Sequence, residues 1–188
     1  TFALENNIFQ INIESESELI LINEIANSLN KKANVAFRIN PDIDVNTHEK
    51  ITTGKNENKF GIPWPDAKET FLKANKMSNI NVNGLAIHIG SQLLDLEPLD
   101  KAFSIAVEAA NNLAEVGINI KNIDFGGGLG INYGNQMPPK IENYSSIIKK
   151  NVKNYNYEII LEPGRRLVAN SGILVTKVIY KKNNGKKN

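Results

Sequence analysis

The apolar residues of this chain alternate between strand-like and helix-like periods in a fixed order, and few folds accept that order. Residues 8–13 read as a short strand. Ser15 and Glu18 then form a Ser-x-x-Glu capping box ahead of Leu19, Ile22, Ile25, Ala26 and Leu29 at helical spacing. Residues 35–39 make a second strand, stopped by Asn40-Pro41, and a long polar stretch, 42–59, follows as a candidate working loop. Pro65-Asp66 can open a helix bearing Ala67, Phe71 and Ala74, with Trp64 packing as a staple at its start. Residues 84–90 give a third strand. The helix after it, about 99–116, carries Ala102, Phe103, Ala106, Val107, Ala110 and Leu113 on one face, with Gly117 as its C′ residue. A strand at 123–125, a helix with Tyr144, Ile147, Ile148 and Val152, and a strand at 158–161 complete the alternation, and a β-rich run at 172–180 follows.

Strand and helix in strict alternation call for a parallel sheet covered by helices. A doubly wound sheet and a (β/α)8 barrel both satisfy the pattern. Both place their reactive groups at the C-terminal ends of the strands, and every glycine-rich or polar signal here falls at such an end.

Composition narrows the function. Twenty-two basic against 20 acidic residues advertise neither a nucleic-acid surface nor a polybasic membrane anchor. There is no cysteine, which removes disulfides, thiolate metal sites and cysteine nucleophiles. No apolar run approaches the roughly 20 residues that span a bilayer. These features fit a cytoplasmic protein with no membrane, nucleic-acid or metal partner. The chain opens at Thr1 without an initiator methionine, so it reads as a piece of something longer.

Three clusters can carry chemistry. Gly126-Gly127-Gly128-Leu129-Gly130 directly follows a strand; adjacent glycines let backbone amides converge on a phosphate, and they equally make a tight turn. This is not the dinucleotide fingerprint, whose spacing differs. Glu162-Pro163-Gly164-Arg165 sets a carboxylate and a guanidinium about a rigid turn, suited to gripping one ligand or to pairing with each other. His88 lies in an otherwise apolar strand as a core residue or a ligand contact, with Ser91 three positions on. His48 sits in the polar loop and is equally readable as solvated.

Taken together the motifs resemble the diaminopimelate decarboxylase family, pyridoxal-phosphate enzymes of the alanine-racemase-like barrel class. The matching stretches are Arg38-Ile39-Asn40-Pro41-Asp42, Thr47-His48-x-Lys50-Ile51-x-Thr53-Gly54, Asn58-Lys59-Phe60-Gly61, His88-Ile89-Gly90-Ser91-Gln92, Phe125 to Gly130, Glu162 to Arg165 and Leu167-Val168-Ala169-Asn170. They occur in the family's order over residues 8–180.

The resemblance implies a partial (β/α)8 TIM-type barrel: about five C-terminal strand/helix units in residues 1–171, then the first strand of a truncated C-terminal β-domain in 172–188. It implies pyridoxal 5'-phosphate as cofactor, with His88 stacked on the ring and Ser91 near the phosphate. Gly126, Gly127, Gly128 and Gly164 would offer amides, Pro163 between Glu162 and Gly164 would belong to the same cofactor-binding set, and Glu162 would meet the pyridine nitrogen. Arg165 would meet a substrate carboxylate or the phosphate, Asp124 would fix the strand end, and Lys59 would lie near the substrate mouth and partner subunit. Arg166 departs from the smaller residue usual there.

No catalytic residue is assigned to this chain. The Schiff-base lysine and the partner subunit's cysteine belong to segments the chain does not show, so the isolated polypeptide is expected to be inactive. The implied activity is decarboxylation of meso-diaminopimelate to lysine by a homodimer. A relative acting on ornithine, arginine or carboxynorspermidine, or a non-catalytic barrel homologue, are the alternatives.

Overall fold

The computed structural model describes residues 1–43, 60–134 and 136–182. The Thr47–Gly54 motif, His48 and Lys59 fall outside that description. Among the described residues are strands β1 (Ile11–Ile13), β2 (Ala33–Asn40), β3 (Ile62–Pro63), β4 (Ile80–Ala86), β5 (Asn122–Asp124) and β6 (Glu158–Ile160). The helices are α1 (Phe2–Glu5), α2 (Glu16–Ser28), α3 (Trp64–Ala74), α4 (Glu97–Glu115), α5 (Ile141–Val152) and α6 (Gly164–Val168).

Strand order decides between the two architectures left open by the alternation. The sheet runs β1-β2-β4-β5-β6, every pair is parallel, and β3 pairs with the end of β2. A doubly wound sheet reverses its progress at a switch point. Among the described residues each strand on this path lies beside the one before it, and progress never reverses. This is the wall of a (β/α) barrel, with helices on one face.

Local signals explain the helices. The Ser15 hydroxyl accepts from the Glu18 amide at 3.2 Å, the N-cap half of a capping box, while the Glu18 carboxylate reaches one residue further back and accepts from the Glu14 amide at 2.6 Å. Gly117, at φ +83°, ends α4 in a Schellman arrangement: Ile118 N–H donates to Leu113 C=O at 2.9 Å and Gly117 N–H to Ala114 C=O at 3.0 Å. The stripe on α4 is buried as its spacing requires, with Phe103 stacked on Phe125 at 4.2 Å and meeting the edge of Tyr144 at 5.9 Å. Phe37 packs on Phe71 of α3 at 4.4 Å. Pro65 opens α3, with Trp64 part-buried against the core.

Two strand expectations are corrected. The third strand begins at Ile80 and ends at Ala86, four residues earlier at each end than the 84–90 reading. Ile87 and Ile89 are buried, but in the turn beyond the strand. Residues 172–180 form no strand: they are exposed and meet no ladder partner among the described residues. Apolar, β-branched residues make a strand only where a second strand receives their hydrogen bonds.

Candidate active site

Period two carries one set of side chains to the face opposite the helices. Register places Arg38 beside Ala86 and Ala86 beside Asp124, while Phe37, Leu85 and Ile123 point into the helix layer. Just beyond the strand ends, one residue past β1 and two past β4 and β6, the same parity brings Glu14, His88 and Glu162 to this face. Asn12, Glu14, Arg38, Ala86, Ile87, His88, Asp124 and Glu162 line an inner hollow of about 290 Å³. His88, Ser91, Gly128, Leu129, Glu162, Gly164 and Arg165 line an outer one of about 330 Å³. His88 and Glu162 border both, so the two hollows form one two-lobed site.

In the inner lobe the Asp124 carboxylate is almost fully buried. It accepts from Asn12 Nδ2 at 3.1 Å and from the Gly126 amide at 2.9 Å. Arg38 donates to Glu14 Oε1 at 2.7 Å and to the His88 carbonyl at 3.2 Å, and its guanidinium lies 5.2 Å from the Phe60 ring centre. The second Glu14 oxygen accepts from the Gly61 amide at 2.9 Å. Arg38 and Glu14 thereby join Phe60 and Gly61 to the backbone of His88.

His88 Nδ1 accepts from the Gly127 amide at 3.2 Å. An accepting nitrogen carries no proton, so the neutral ring holds its proton on Nε2. Burial, reinforced by the Arg38 charge, keeps the imidazole below its ordinary 6.5. Glu162 is displaced the other way: partial burial, then the charge and hydrogen bonding of Asp124, raise it above the ordinary carboxyl range. A cation set against Glu162 would draw that carboxyl back toward ionisation.

The triple glycine works differently from the reading in which all three amides converge on a phosphate. The amides of Gly126 and Gly127 are engaged by Asp124 and His88. Of the three, only Gly128 lines the outer lobe. The glycines provide room: a Cβ on Gly127 would lie 2.0 Å from the Glu162 carbonyl oxygen, and one on Gly128, at φ +98°, would lie 2.1 Å from that of Gly90. Pro163 lines neither lobe and caps α6. Ser91, Gly164 and Arg165 stand together in the outer lobe, and Arg166 lines neither.

Donors in the outer lobe suit an oxyanion, and the inner lobe, with its acidic pair and neutral imidazole, suits a protonatable aromatic ring. Residues 1–169 match the family model described as pyridoxal-dependent decarboxylase, pyridoxal binding domain. The chain belongs to this family. It is 45% identical to a diaminopimelate decarboxylase of Haemophilus influenzae over 99% of its own length and 45% of the relative's. It is 40% identical to that of Aquifex aeolicus, over 100% of this chain and 45% of the relative. The crystal structure of the Helicobacter pylori diaminopimelate decarboxylase complexed with L-lysine superposes with a TM-score of 0.89 at 44% identity, over 97% of this chain and 46% of that one. The arginine decarboxylase of Paramecium bursaria Chlorella virus gives 0.70 at 26%, over 87% of this chain and 42% of that one. The chain thus spans about half the length of the relatives it matches.

Membership leaves Asn12 and Glu14 as residues that the motifs did not flag, and Arg38 as one quoted without a role. Their signal was present. Asn12 interrupts the apolar β1 between Ile11 and Ile13, Glu14 repeats its parity, and Arg38 interrupts β2 in the same way. A polar residue alternating with buried ones in a barrel strand faces the barrel interior.

Proposed function

We propose that this chain is the cofactor-holding part of a diaminopimelate decarboxylase, which converts meso-diaminopimelate to L-lysine with pyridoxal 5'-phosphate. The observation that carries the reading is the two-lobed site in which His88 and Glu162 border both an anion-suited outer lobe and an acidic inner one. The substrate follows from the relatives: diaminopimelate decarboxylases match at 40–46% identity, the arginine enzyme at 26%.

Ser91, Gly128, Gly164 and Arg165 would hold the phosphate. Arg165 brings a fixed fork of donors, apt for a phosphate or for the substrate's carboxylate. Gly126 and Gly127 serve indirectly, by fixing Asp124 and the His88 ring. His88, neutral and with Nδ1 pinned, offers a flat face without adding positive charge. Glu162 would face the ring nitrogen, where a carboxylate keeps that nitrogen protonated, and the buried Asp124 beside it adds negative charge to the same wall. Bound there, pyridoxal phosphate supplies a sink for the electron pair left by departing carbon dioxide. Arg38 and Glu14 fix the wall of the inner lobe, and Pro163 stiffens the turn that carries Glu162 and Arg165.

The complete gene product is a cytoplasmic homodimer in this reading, and the 188-residue polypeptide alone is inactive. Among the described residues no helix is long and apolar enough to cross a membrane. The test is carbon dioxide release by the complete gene product from meso-diaminopimelate, arginine and ornithine in parallel. Turnover of diaminopimelate alone supports the proposal. Turnover of arginine or ornithine instead, or a protein that never develops the visible absorbance of bound pyridoxal phosphate, overturns it.

A further inference from the structure

The outer lobe has walls from two different loops: Ser91 follows β4, and Gly128 follows β5. Neither loop belongs to the sheet at that point, so something must hold their spacing. Leu93 N–H donates to Gly128 C=O at 2.9 Å and Gly130 N–H donates to Leu93 C=O at 2.8 Å, a single parallel bridge beyond the sheet. The side chain of Gln92 continues this ladder where the backbone cannot. Its Nε2 donates to the Ile131 carbonyl at 2.6 Å, and its Oε1 accepts from the Ile131 amide at 3.2 Å. A primary amide facing a peptide group reproduces the two-point pairing of one strand residue with another. Gln92 also sits at φ +61°, a left-handed conformation that costs a non-glycine residue free energy and persists where the surroundings fix it.

We infer that Gln92 is a positioning residue for the cofactor's phosphate: its two-point clasp on Ile131 sets the distance across the outer lobe between Ser91 and Gly128. This rests on the pyridoxal-phosphate reading above. Gln92 itself lines neither lobe, so it acts through its neighbours on either side of the bridge.

The experiment compares binding of pyridoxal 5'-phosphate and pyridoxal, which lacks the phosphate, to the complete gene product by equilibrium absorbance titration. Gln92→Met keeps the side chain's length and removes the amide. It is expected to weaken pyridoxal phosphate binding about 10-fold, the scale of two lost hydrogen bonds, and pyridoxal binding less than about 3-fold. Gln92→Gly suits φ +61° and so tolerates the backbone, which keeps the test in force where Q92M fails to fold. It should show the same loss of preference for the phosphorylated ligand. A variant that lowers both affinities equally, or neither, overturns the clasp and leaves the cofactor reading standing. A wild-type protein with no preference for pyridoxal phosphate over pyridoxal overturns both.

Discussion

Replacing Gly127 by alanine tests whether the glycine turn exists to bring β5 and β6 together. The added methyl would stand 2.0 Å from the carbonyl oxygen of Glu162, whereas ordinary contact begins at 3.4 Å, so 1.4 Å must be found. The obstacle is backbone, and it cannot rotate aside. That carbonyl belongs to the residue whose amide donates to Gly126 C=O at 2.8 Å, one step beyond the Phe125 to Ile160 bond at 3.0 Å. Moving it by more than an ångström breaks the first of these bonds. Overpacking costs about 1–3 kcal/mol and a lost hydrogen bond about 1 kcal/mol, so Gly127→Ala should lose about 2–4 kcal/mol. At a slope of about 2 kcal/mol/M this is a fall of roughly 1–2 M in the urea midpoint. Gly172→Ala is the control, since a methyl there meets nothing within 4 Å and the φ of −147° suits any residue. The assay is urea unfolding of the complete gene product followed by circular dichroism. Equal midpoints for G127A and G172A would refute the argument that the turn is glycine for lack of space.

Phe103→Ala empties the stack between Phe125 and Tyr144, and should cost about 3–5 kcal/mol in the same unfolding assay. Ser15→Ala removes the acceptor of the Glu18 amide and should cost about 1 kcal/mol, while Ser15→Asp should retain most of it. His88 has a lowered pKa in the fold, so the unfolded chain binds protons more readily near its ordinary 6.5; stability should fall as pH drops through that region, and His88→Gln should flatten the decline in thermal midpoint. Glu162 is raised, so the cofactor-free fold favours its protonated form, and its contribution is lost as pH rises from 4.5 through the raised value. Glu162→Gln should therefore gain thermal midpoint relative to wild type at pH 7 and not at pH 4.

The sequence carried the elements better than their arrangement. The Ser15 cap, the α4 stripe and the glycine after it are local devices and formed as read; only the Glu18 carboxylate of the capping pattern settled one residue away, on the Glu14 amide. The choice between a wound sheet and a barrel wall was beyond periodicity, because both hide the same faces; strand neighbours decide it. The third strand was misplaced because Ile87 and Ile89 are as apolar as strand residues, yet are buried by the turn, whereas Asn81 and Asn83 dilute the true strand's start. The site motifs drew attention to His88, the glycines and Glu162 because these cluster in sequence. Asn12 and Glu14 lie on β1 and its end, and Arg38 stands on β2, apart from those clusters. Only register assembles them, and register is a property of pairs of strands.

The inner lobe is built on alternate residues of adjacent strands, so its chemistry shares one frame with the backbone ladder. A single-residue slip of β1 against β2 would turn Asn12 toward the helices and Ile13 toward the lobe. Such a molecule would keep its helices, its compactness and its circular dichroism spectrum, yet Asp124 would lose the amide that Asn12 donates.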